Sequence, residues 1–73
     1  MSISLDNKFY TISNIDNNGT IKNIAVDVRD NSLDADVSEV KGFWFNSDDD
    51  TDIEAQGYDF LKARDEFAGA TDV

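Results

Sequence analysis

The chain has 73 residues, with 16 Asp or Glu against 6 Lys or Arg, no His and no Cys, and a formal charge of −10. This composition rules out disulfides and thiolate metal sites. It removes the commonest neutral-pH proton shuttle and metal ligand, and it opposes direct contact with anionic lipid or a nucleic-acid backbone.

A chain this short makes one domain and buries only about 60% of the surface its unfolded form exposes. Small domains without staples gain stability from oligomerisation or a bound partner. The start of the chain, MSISLDNKFY, has no basic region followed by a long apolar run, so it does not read as a signal peptide. No segment approaches the roughly 18 apolar residues of a membrane span. Together with the missing cysteines, this points to a cytoplasmic location.

Lys8 to Ile15 is rich in aromatic and β-branched residues (Phe9, Tyr10, Thr11, Ile12, Ile15), which suits a strand. It runs into Asn18-Gly19, the strongest short hairpin signal, where both central residues must tolerate positive φ. Ile21 to Arg29 alternates, with Ile24, Val26 and Val28 on one face and Asn23, Asp27 and Arg29 on the other, as in a half-buried strand. Asp30-Asn31-Ser32 reads as a second turn. Val40 to Asn46 is heavily apolar and reads as a third strand, with Gly42 marking a bulge or a close backbone approach.

Beyond Ser47-Asp48-Asp49-Asp50-Thr51-Asp52 the pattern turns helical. Thr51 and Glu54 stand in capping-box relation, and acidic residues suit the positive end of the helix dipole. Ile53, Gly57, Phe60, Leu61, Arg64 and Ala68 form one stripe, which Phe67 continues. Gly69 is the expected stop. The predicted fold is α+β, a three-stranded antiparallel sheet packed against one C-terminal α-helix. It forms a single acidic domain over 1–73, with strands about 8–15, 21–29 and 37–46 and a helix about 52–68. The predicted core is Ile12, Ile24, Val26, Val28, Val40, Phe43 or Trp44, Phe60, Leu61 and Phe67.

The acidic residues fall in two groups, Asp27, Asp30, Asp34, Asp36 and Glu39, and Asp48, Asp49, Asp50, Asp52, Glu54 and Asp59. Alternate residues of an extended chain lie about 6.8 Å apart, a distance of the same order as that between successive phosphates of a DNA strand. A row of such carboxylates can occupy a basic groove built for phosphates. Single surface ion pairs contribute only about 0–1 kcal/mol, but several acting with a steering field give fast association and useful affinity.

The Asp48-x-Asp50-x-Asp52 run fails as an EF-hand loop, because Ile53 stands where Gly is required and Asp59 where the bidentate Glu belongs. No cofactor or metal is expected. The serines have no His to activate them, there is no glycine-rich phosphate loop, and the chain reads as a non-enzyme. Phe43-Trp44-Phe45 cannot all face one side of a strand. The aromatic left outside, Trp44 if Phe43 and Phe45 turn inward, or the reverse, is an anchor for an interface.

The expected function is that of an acidic binding protein that inhibits or regulates a basic nucleic-acid-binding protein by presenting carboxylates as phosphate mimics. In size and charge the chain is similar to the small acidic inhibitors that phages deploy, such as anti-CRISPR, anti-restriction and RNA polymerase inhibitors. The partner-binding residues are then Asp34, Asp36, Asp48, Asp49, Asp50, Asp52, Glu54 and Trp44. The alternative is a small structural adaptor, virion component or homodimer that associates through the aromatic strand.

Overall fold

Clean alternation makes Ile21–Asp30 a half-buried strand of the sheet. In the computed structural model, which describes residues 1–73, this segment (β3) pairs antiparallel with Lys8–Asn18 (β2) on one side and Val37–Asn46 (β4) on the other. Ile24, Val26 and Val28 turn inward as the pattern requires, and each is at most 3% exposed. The hairpin between β2 and β3 closes one residue later than expected. Asn18 pairs with Ile21, so Gly19 and Thr20 form the turn, and of these only Gly19 has positive φ, at 66°. Gly at the first central position is the requirement of a II′ turn.

The sheet has five strands rather than three, in the order β4-β3-β2-β1-β5. The two additional strands are Ile3–Leu5 (β1) and Thr71–Asp72 (β5). Asp6 and Asn7 join β1 to β2 with φ of 53° and 64°, the two positive values a tight I′ turn demands. The chain ends meet along β1, with reciprocal backbone bonds between Ser2 and Val73 at 3.2 and 2.9 Å.

Two bulges set which side chains face the core. Ser13 is the extra residue of β2 and Ser38 that of β4, whereas Gly42 pairs regularly with Ala25. The Ser13 bulge places Ile12 and Ile15 on one face although they are three apart, since an added residue shifts the period-2 alternation. Ser13 and Ser38 each return a hydroxyl to β3, on the carbonyls of Ala25 and Val28.

One helix, Ile53–Lys62 (α1), covers the inner face. Its cap is Asp52, in a left-handed conformation with its carboxylate accepting from the Ala55 N–H, so the Thr51–Glu54 capping box does not form. The helix ends at Lys62 rather than near Gly69. Arg64 is extended, and a short 3₁₀ turn, Asp65–Phe67, delivers Phe67 to the core. A continued helix would carry Phe67 along the α1 axis, whereas the break sets its ring edge-on to Tyr10 at 4.8 Å and to Phe43 at 5.9 Å.

Gly57 faces Ile12, and a Cβ there would stand 2.8 Å from the Ile12 Cδ1. Glycine thus allows the helix to lie close on the sheet. Beside it Tyr58, fully buried, accepts from the Ile12 N–H at 2.9 Å and donates to the Met1 carbonyl at 2.6 Å. The core is Ile3, Tyr10, Ile12, Ile24, Val26, Val28, Phe45, Tyr58, Leu61 and Phe67. Val40, expected inside, is 62% exposed, because α1 covers the opposite face of the sheet. No helix is long and apolar enough to cross a membrane.

Candidate interaction surface

Asp48, Asp49, Asp50, Asp52 and Glu54 lie at one end of the molecule, on the β4–α1 loop and the first turn of α1. The loop is held by its own polar groups. The Ser47 N–H donates to the Thr20 carbonyl at 2.8 Å, tying the loop to the β2–β3 turn. The Ser47 hydroxyl meets Gln56 Oε1 at 2.6 Å, and the Gln56 amide donates to the carbonyls of Asp49 and Thr51 at 2.9 and 2.8 Å.

Three of the carboxylates have structural work. Asp49 accepts from the Thr51 N–H at 2.9 Å, which holds its carboxyl below the usual range. Asp52 caps the helix. Asp50 accepts from the Lys22 ammonium at 2.7 Å and from the Asn17 amide at 3.2 Å, and the lysine bond in particular lowers its pKa. Asp48 and Glu54 have no ion pair or side-chain hydrogen bond within the chain and remain exposed. Asp16, exposed on β2 opposite Asn23, adds another free carboxylate toward the same end. The carboxylates do not converge as a metal site would require.

Lys22 carries this end of the fold and was not identified from the sequence. Its side chain is fully buried. An ammonium has three donors and no acceptor, and here they reach Asn17 Oδ1 at 2.7 Å, the Gly19 carbonyl, and Asp50. A buried charge survives only when paired and hydrogen-bonded. The parity of the strand contained the signal, since Lys22 shares the inward face with Ile24, Val26 and Val28.

Asp34 and Asp36 lie elsewhere. They occupy the β3–β4 loop, where the Ser32 hydroxyl accepts from the Asp34 N–H at 3.0 Å and Arg29 Nε reaches the Ala35 carbonyl at 3.0 Å. This is a turn, so the extended spacing expected for the pair is absent. The two acidic groups sit at opposite ends of β4. Ten residues at about 3.3 Å each put them roughly 30 Å apart, on a molecule whose longest dimension is 35 Å. They form two patches rather than one row.

The aromatic strand resolves as alternation requires. Phe45 is buried and stacks on Phe60 at 5.3 Å, and Phe43 packs partly buried on the core. Trp44 faces out and is 59% exposed. It belongs to the uncovered face of the sheet with Val40 and Val37, directly opposite Asn23, Asp27 and Arg29 of β3. β4 is an outer strand, paired only with β3. A groove of about 490 Å³ runs over its edge, lined by Gly42, Phe43, Trp44, Phe60 and Arg64. The Arg64 guanidinium lies over the rings of Phe43 and Phe60, at 5.0 and 5.6 Å from their centroids.

Compared with known proteins, the chain matches no family model, no curated protein and no solved structure.

Proposed function

We propose that this protein is a non-enzymatic acidic binding protein of the cytoplasm that inhibits or regulates a basic nucleic-acid-binding protein, its carboxylates standing in for phosphates. The observation that carries this reading is the β4–α1 end. With Asp16 at the same end but on the opposite face of the sheet, and Lys22 engaged with Asp50, the carboxylates of Asp48, Asp49, Asp52 and Glu54 are grouped there with no ion pair. The backbone bearing them is fixed by the Ser47, Gln56 and Asp52 hydrogen bonds. A held array loses little entropy on docking, which favours affinity.

The test uses carboxylates that make no side-chain hydrogen bond or ion pair in the fold. The triple variant Asp16→Lys, Asp48→Lys, Glu54→Lys keeps its circular dichroism and loses the partner retained from a lysate at low salt. That partner elutes as salt rises and is displaced by duplex DNA. A folded variant that still retains the same protein refutes the proposal.

A second reading has its own observation. Trp44 and Val40 stand exposed on the open sheet face on either side of Gly42, as an anchor of a structural adaptor or homodimer would. In that case Trp44→Ala dissociates the assembly in sedimentation experiments while the acidic substitutions change nothing.

A further inference from the structure

The outer edge of β4 has a feature that the acidic end alone does not explain. Ten residues, Val37–Asn46, present an edge whose outward backbone groups meet no other strand. Long open edges recruit other strands unless they are blocked. Here Glu39, Lys41 and the Ser38 bulge guard the first half of the strand, and at the aromatic half Arg64 lies over the rings of Phe43 and Phe60 beside the groove. At Gly42 an added Cβ would meet nothing within 4 Å. The groove beside it is walled by Phe43, Trp44, Phe60 and the same Arg64.

Both ends of this edge are acidic. Asp34 and Asp36 precede β4, and Asp48 and Asp49 follow it. This charge pattern selects the occupant. A second copy of the chain, paired along β4 in either direction, sets carboxylates against carboxylates at each end and adds one charge of −10 to another. A strand with basic ends and an apolar residue at the groove matches the two acidic ends and the aromatic wall between them.

We propose that β4 receives an extended segment of the basic partner by strand addition. Main-chain hydrogen bonds run along Val37–Asn46, an apolar side chain of the segment lies in the groove at Gly42, and Lys or Arg residues at its two ends meet Asp34 and Asp36, and Asp48 and Asp49. In this mode the backbone supplies affinity and alternate side chains supply specificity. The inference rests on the reading of the partner as basic, and adds how that partner is held.

The probe is a ten-residue peptide with two basic residues at each end and alternating Val and Thr between. Two further peptides of the same sequence carry N-methyl groups on the odd or on the even central amides. NMR titration at low salt is expected to show the parent peptide binding and slowing amide exchange within β4. One methylated form loses affinity tenfold or more while the other keeps it, because an added strand uses one set of its amides. Asp34→Lys with Asp36→Lys weakens the probe threefold or more, and so does Asp48→Lys by itself.

Equal binding of both methylated forms, with no β4 protection, overturns strand addition and leaves the basic-partner reading standing. No binding of any peptide also overturns strand addition, and the triple carboxylate variant then decides the basic-partner reading separately. Concentration-dependent dimerisation of the chain alone, with protected β4 amides, overturns the proposal in favour of a second copy.

Discussion

Replacing Tyr58 by Phe removes one oxygen from the centre of the molecule and leaves the ring in place. That oxygen joins the bulge in β2 to the first residue of the chain, accepting from the Ile12 N–H and donating to the Met1 carbonyl. Burial of the hydroxyl pushes its pKa up, so it remains a protonated donor across the working range. The two bonds are not equal in consequence. Ile12 is only 8% exposed, and its amide has no substitute once the hydroxyl is gone. A stranded buried donor costs about 1–3 kcal/mol. Met1 is 60% exposed, so its carbonyl returns to water and only the net value of a bond, about 1 kcal/mol, is lost.

The sum is about 2–4 kcal/mol, a large share of the stability of a small domain. At about 4–8 °C per kcal/mol for this size, the melting temperature falls by at least about 8 °C. Thermal unfolding followed by circular dichroism reads this directly. Tyr10→Phe makes the same chemical change at a hydroxyl with no partner in the fold, and no buried side-chain polar atom is left unpartnered, so that oxygen reaches solvent. Its melting temperature stays within the spread of surface substitutions, about 0.5 kcal/mol. Equal melting temperatures for the two variants refute the reasoning.

Two predictions concern charge. Asp50→Ala lowers the urea midpoint more than Lys22→Met does, although Asp50 is the surface partner. The alanine leaves a buried ammonium without its anion, whereas the methionine removes a desolvated charge and returns Asp50, Asn17 and Gly19 to water; the reverse order disproves this account of the end of the sheet. Asp30, Asp49 and Asp50 are held below their ordinary range, by Lys8, the Thr51 N–H and Lys22 respectively. Their stabilisation is complete above the unfolded value of about 3.9 and is lost as pH falls through the lower folded values, so the parent weakens below about pH 4 and Asp50→Ala weakens less steeply. Trp44, the one tryptophan, is quenched more strongly by caesium than by iodide at low salt when each constant is taken relative to that of free tryptophan amide, because the anionic surface repels iodide. A matching pair of relative constants at low salt argues against a field at that face.

Strand content near the termini was not legible, for a physical reason. β1 and β5 have three and two residues, too few for periodicity to register, and they form because β2 offers an edge and Tyr58 holds Met1 beside it. The helix stripe extended to Ala68 because Phe67 falls at helical spacing. In the fold Phe67 is buried, at 2% exposure, but it arrives through a 3₁₀ turn. The gap between Tyr10 and Phe43 decided its path. Among the acidic residues, spacing alone did not separate Asp49, Asp50 and Asp52, which hold backbone or Lys22, from Asp48 and Glu54, which hold nothing.

Local pattern by itself determined the β2–β3 hairpin, the inward face of β3, that Trp44 faces away from Phe43 and Phe45 though not which side is inward, and the presence of one helix after the acidic run. These are local consequences of side-chain period and turn chemistry, so they can be read residue by residue. Tertiary structure alone decided that β4 is an outer strand, that Val40 faces away from the helix, that Lys22 is enclosed, and that the two acidic groups stand a strand's length apart. Each of these depends on which surfaces meet across the sheet. Contacts between residues distant in sequence fix that meeting, and no local pattern encodes it.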